Sequence, residues 1–125
     1  MDGRVLVLGG EDGKTALSTA ELYDPSTGRF STAGPIGTAR MGPAAALFAD
    51  GRVIVPCGSP DTGPAKTVDL LDPMTGRFDA TGPLSAAESD CSAVALRDGR
   101  ILVVGSGTPE PVDALDPTRP LVATP

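Results

Sequence analysis
The side chains that could do chemistry in this sequence are carboxylates, a few cations, one tyrosine and two cysteines. Histidine, the most usual general base and the commonest metal ligand, is missing from all 125 residues, as are Trp, Asn and Gln. Cys57 and Cys91 are not a C-x-x-C pair, and two thiols without histidine do not make an ordinary zinc site. Both are expected to be semi-buried free thiols, because stacked sheets lie about 10 Å apart, beyond the reach of a disulfide. Sixteen acidic residues always offer pairs, but Asp24, Asp72 and Asp116 each precede a proline and read as turn formers. Asp12-Gly13 lacks the alternating acids of a calcium loop, and no helix follows Gly9-Gly10 to make a phosphate site. These residues assign no catalytic group, no metal and no cofactor.

Charge and hydropathy narrow the partners. Ten basic residues against sixteen acidic ones give a net charge of -6, the wrong sign for neutralising nucleic-acid phosphates. No apolar run approaches a membrane span, and Met1-Asp2-Gly3-Arg4 lacks the layout of a signal peptide. No compartment is assigned, and a longer parent could be secreted or displayed at a cell surface.

The elements that must position these groups come from a repeat. Asp-Gly-Arg occurs at Asp2, Asp50 and Asp98, each time leading into an apolar run: Val5–Leu8, Val53–Val55, Ile101–Val104. Leu22-Tyr23-Asp24-Pro25-Ser26-Thr27-Gly28-Arg29-Phe30 returns as Leu70-Leu71-Asp72-Pro73-Met74-Thr75-Gly76-Arg77-Phe78, and in degraded form from Ala114 to Pro120. Residues 2–49 aligned without gaps on 50–97 share 18 identities, so the 16 glycines and 13 prolines punctuate a repeat rather than mark disorder. Each unit reads as four antiparallel strands. An Ala-rich inner strand (Pro43–Phe48, Ser92–Leu96) turns through Asp-Gly into a strand apolar on both faces. A third strand follows a variable loop (Ala20–Tyr23, Val68–Leu71, Val112–Leu115), then a Pro-x-Thr-Gly turn and a fourth (Arg29–Thr32, Arg77–Ala80). No stretch has helical periodicity.

Four-stranded units of about fifty residues imply an all-β propeller. The sequence resembles the kelch repeat in its bacterial form, within the superfamily that includes the galactose-oxidase propeller. The resemblance rests on Gly9 and Gly10 after the second strand, Tyr23 in the third, Phe30 and Phe78 where the family often has Trp, and Arg40 before the inner strand. The glycine pair becomes Cys57-Gly58 and then Gly105-Ser106, Tyr23 becomes Leu71, and Arg40 becomes Glu88. The expected blades are residues 2–40 (strands 2–4, without the inner strand), 41–88, and 89–125 with a degraded end near Leu121. Three blades do not close a ring. The chain is therefore expected to be part of a longer propeller, or a subunit completed by association, with end strands exposing Val5, Val7, Leu22, Ile101 and Val103.

Strand alternation places the 2–3 and 4–1 loops at one end and the short turns, nearly invariant between repeats, at the other. The variable end carries Glu11, Asp12, Lys14, Arg40, Asp61, Lys66, Glu88 and Asp90, the candidates for contacting a protein or small ligand. For Arg40 the resemblance also implies a structural role, tying adjacent blades. The expected function is a non-catalytic binding module. The alternative is a fragment of a galactose- or glyoxal-oxidase-like copper enzyme, which by resemblance needs His and Tyr ligands and a Tyr bonded to Cys.

Overall fold
The computed structural model describes residues 2–60, 65–88, 90–106 and 112–118, and the side chains of all of these except 65–66 and 82–88. Three antiparallel sheets follow one another along the chain. The first is β1 (Val5–Leu8), β2 (Ala20–Asp24) and β3 (Arg29–Thr32) in that order. The second is β4 (Ala46–Leu47), β5 (Val53–Val55), β6 (Ala65–Asp72) and β7 (Arg77–Glu88). The third is β8 (Cys91–Ala95), β9 (Ile101–Gly105) and β10 (Val112–Leu115), with β9 in the middle. No helix occurs among the described residues. The repeat is kept in the register: Val5 pairs with Tyr23, Val53 with Leu71 and Ile101 with Leu115.

One element runs longer than expected. β7 continues through the segment read as a 4–1 loop as far as Glu88, which pairs with Ala65, and the register slips twice between Ala65 and Val68. It is the outermost strand of its sheet, the position in a ladder that tolerates a proline such as Pro83. The doubtful strand near Leu121 lies outside the described residues.

The turns form as their residues dictate. The Phe48 amide donates to the Arg52 carbonyl at 2.9 Å, and Leu96 to Arg100 at 2.7 Å, closing the Asp-Gly hairpins. Gly51 sits at φ +91°, which a β-branched residue resists. The Asp50 carboxylate accepts from the Arg52 amide and from its Nε, and Arg52 Nη2 reaches across to the Pro117 carbonyl at 2.7 Å. In the wider turns Asp24 accepts from the Ser26 amide, and Asp72 from that of Met74. Gly28 and Gly76 close those turns by donating to the carbonyls of the same aspartates at 2.8 Å.

The core lies between the second and third sheets. Phe48, Ile54 and Val68 face Ile101, Val103 and Leu115, all at most 2% exposed. Ile101 and Val103 were expected on the open face of the last blade, and the structure places them on the opposite, buried one. In a strand apolar on both faces, composition does not tell which parity turns inward. The open face of the third sheet instead carries Val94 and Val112, and that of the first carries Val5, Val7 and Phe30, with Leu22 half-buried.

The thiol expectation is overturned. Cys57 and Cys91 are joined in a disulfide, with Cα atoms 6.1 Å apart. At the loop end, where the chain crosses from blade to blade, the two positions come within bridging distance, closer than a mean sheet spacing of about 10 Å suggests. The previous interface shows the same approach. A Cβ at Gly9 would stand 2.8 Å from Pro43 Cγ and 2.8 Å from the Arg40 carbonyl. Gly9 and Pro43 are 48 residues before Cys57 and Cys91, so the disulfide occupies the repeat of a glycine–proline contact.

Gly58 sits in the same crowded corner at φ +117°, and a Cβ there would lie 2.8 Å from Arg40 Cβ and 3.1 Å from the Met41 carbonyl. Gly13 also has positive φ, yet nothing lies within 4 Å of its missing Cβ. Gly13→Ala is expected to cost about 1–2 kcal/mol from backbone strain alone. Gly58→Ala adds overpacking, for about 2–4 kcal/mol in total. Urea midpoints of the two variants check the difference, and equal midpoints would refute the crowding.

Candidate functional site
Backbone bonds bring three variable segments to one end of the sheets. The linker leaving β3 runs back beside the β1–β2 loop, where Ile36 donates to the Ser18 carbonyl at 2.8 Å. Further on, the Arg40 amide donates to Leu17 at 2.9 Å, and Gly10 donates to the Arg40 carbonyl at 2.8 Å. The next residue turns to the other loop: Met41 and Ser59 exchange both backbone bonds, at 2.8 and 3.0 Å. The 4–1 linker is thus stitched between the two 2–3 loops, and the end they form is a single surface.

Glu11, Asp12 and Lys14 stand exposed on one small loop at this end, whose base is the bridge between Glu11 and Ala16. Asp12 shapes the loop by accepting from the Thr15 amide at 2.9 Å and the Lys14 amide at 3.0 Å. Those bonds, that of Thr15 foremost, hold its carboxyl below the usual aspartate range and keep it ionised. Asp90 is exposed just before β8. Asp61 lies outside the described residues. Lys66 and Glu88 fall within β6 and β7, and their side chains lie outside the described ones. The motif residues Gly9, Gly10 and Gly58 have positive φ, Gly105 is buried at the end of β9, and Phe78 is half-buried. Tyr23 and Phe30 pair their rings at 4.9 Å on the outer face of the first sheet.

Arg40 is not at the surface. Its side chain is wholly buried, with Nε 3.1 Å and Nη2 2.9 Å from Asp69 Oδ2, and Nη2 2.7 Å from the Thr67 carbonyl. The Thr38 amide donates to the same carboxylate oxygen at 3.2 Å. Gly37 lets the linker come this close, since a Cβ there would fall 2.5 Å from Asp69 Oδ1. The guanidinium therefore ties the linker to β6, and Asp69 is the partner that sequence reasoning passed over. Its signal was present: an acid stands second in each third strand, at Glu21, Asp69 and Asp113, between apolar neighbours. An acid in a strand buried on both faces needs a partner.

A shallow depression of about 350 Å³ opens beside the first sheet, lined by Thr19, Ala20, Glu21, Thr32, Gly34 and Pro35. Among the described residues, Glu21 is its one charged group. No cluster of three or more Cys, Asp or Glu able to hold a metal occurs among the described residues.

Sheets of this connectivity, packed side by side with 2–3 and 4–1 loops sharing one end, are the blades of a partial β-propeller. Residues 1–36 match the model of the Kelch motif. Among solved structures, a fungal alcohol oxidase of the AA5 family in complex with copper superposes with a TM-score of 0.75 at 24% identity. The match covers 85% of this chain and 25% of the oxidase, so the chain spans a quarter of that protein's length. No curated protein sequence matches it.

Proposed function
We propose that the chain is a non-catalytic kelch-type propeller module that binds a protein or small ligand through the end formed by its 2–3 and 4–1 loops. The observation carrying this reading is the stitching of the linker between both loops, which makes one surface bearing Glu11, Asp12 and Lys14. The other end consists of near-identical Asp-Gly and Pro-x-Thr-Gly turns whose aspartates are engaged in holding their own turns. A repeat protein varies where it recognises and repeats where it folds.

The test selects peptides from a random displayed library on the immobilised chain, then measures their affinity for two variants. Simultaneous Glu11→Ala, Asp12→Ala and Lys14→Ala substitution is expected to weaken binding about tenfold or more, the scale of one or two lost charged contacts. Arg29→Ala with Arg77→Ala, at the turn end, is expected to leave it unchanged. The opposite pattern would refute the assignment of the binding face.

The likeness to a copper alcohol oxidase favours a second reading, that a longer parent carries such a site on other blades. The residues of this chain do not fit one. It has no histidine, and both cysteines are joined to each other, leaving no thiol for Tyr23.

A further inference from the structure
We propose that Asp12-Gly13, on the β1–β2 loop, is a site of spontaneous modification at which the aspartate becomes isoaspartate in the folded chain. The Gly13 amide nitrogen attacks Asp12 Cγ, and its proton leaves with the hydroxyl of the protonated carboxyl as water. Water then adds to the α-carbonyl of the resulting five-membered imide and breaks its bond to Gly13, so the backbone runs on through Cγ. No atom is gained or lost overall. The reaction needs an amide nitrogen free of other bonds and a carboxyl oxygen able to take a proton and depart. The proposal is independent of what the loop end binds.

Asp-Gly occurs four times, at Asp2, Asp12, Asp50 and Asp98, so the fold rather than the dipeptide tells these sites apart. In the two complete hairpins both requirements are blocked. The Gly51 amide donates to the Phe48 carbonyl at 3.0 Å, and the Gly99 amide to that of Leu96 at 3.1 Å. Each carboxylate is held at both oxygens. Asp50 Oδ1 accepts from the Arg52 amide and Oδ2 from its Nε at 2.8 Å, and Arg100 holds Asp98 in the same way, with Nε at 2.9 Å. Protonating Oδ2 there breaks an ion pair. Arg4 clamps both oxygens of Asp2 alike.

Asp12 differs on each count. Its bonds from the Thr15 amide, the Lys14 amide and the Thr15 hydroxyl all fall on Oδ1. Among the described residues Oδ2 accepts none, and the Gly13 amide donates to no acceptor. With Oδ2 protonated, Oδ1 is a carbonyl oxygen, and attack at Cγ builds charge on it that two backbone donors already face. Gly13 has φ +93° with open space where a Cβ would stand, whereas the same point on Gly51 lies 3.4 Å from Pro73 Cγ.

The whole chain is incubated folded in neutral buffer and, in parallel, unfolded in guanidinium chloride. Both are digested and mapped by electron-transfer fragmentation, which distinguishes isoaspartate from aspartate. In the folded chain isoaspartate is expected to form at Asp12 about tenfold faster than at Asp50 or Asp98, the scale of the one or two bonds those sites must first give up. In guanidinium chloride the three should react at similar rates, because the bonds that restrain them are gone. Hydroxylamine added to the folded chain should trap the imide as a hydroxamate at Asp12. Equal rates at the three sites in the folded chain, or no hydroxamate at Asp12, overturns the proposal. A preference for Asp12 that persists unchanged in guanidinium chloride also overturns it, because it would then come from the flanking sequence and not from the fold.

Discussion

Arg40→Ala is expected to cost about 3–5 kcal/mol, the penalty for leaving one member of a buried ion pair without the other. Asp69 is 0% exposed, between Val68 and the half-buried Leu70, and without the guanidinium its carboxylate keeps only the Thr38 amide. The Thr67 carbonyl loses its 2.7 Å donor as well. Two further variants separate charge from packing. Arg40→Lys keeps the charge but cannot place two nitrogens on one oxygen and a third contact on Thr67, so it should fall between wild type and Arg40→Ala. Arg40→Met combined with Asp69→Leu removes both charges and fills the space, and should recover most of the loss, because well-packed apolar pairs replace buried ion pairs at little cost. Arg4→Ala breaks the exposed pair with Asp2 and should change stability by no more than about 0.5 kcal/mol. Urea midpoints for the set decide the matter. If Arg40→Ala proved as mild as Arg4→Ala, the linker would not depend on this pair.

The strand order and turns were legible because they are local. Asp-Gly before an apolar run and Pro-x-Thr-Gly after one each specify a backbone path within six residues, and β1, β5 and β10 have the ends read from sequence. The misreadings all concern how one blade meets the next. The parity of Ile101 and Val103 depends on which face the neighbouring sheet covers, and a run of Ile-Leu-Val-Val looks alike from both sides. Arg40 stood beside a variable loop and was read both as a binding-face cation and as a tie between blades; its partner lies 29 residues away on β6. That partner could have been picked out, since Asp69 interrupts an apolar strand where an unpaired carboxylate would be costly. The end of β7 was missed because Gly82-Pro83 reads as a break, whereas an outer strand tolerates both through a slipped register.

The cysteines were the clearest miss, and they support the second large prediction. Aligning the repeats sets Cys57 on Gly9 and Cys91 on Pro43, a place where adjacent blades come within a side chain's length at the preceding interface. A mean sheet spacing gave the wrong answer for that corner. The bond closes a loop of sequence separation 34, for which loss of unfolded-chain entropy predicts about 4 kcal/mol of stabilisation. Cys57→Ala with Cys91→Ala is therefore expected to lower stability by that amount. The wild-type chain under reductant should fall to a similar level, with its thermal midpoint dropping in step. Cys57 is 0% exposed, so reduction should be slow in the folded state and quicken with urea as the corner opens. The oxidised chain should weigh two daltons less than the dithiol and take up no alkylating reagent, even unfolded, until reductant is added. Two thiols reacting in unreduced protein would show that the bond does not form. A double variant as stable as wild type would show instead that the Arg40–Asp69 pair and the stitched linker hold the blade corner without it.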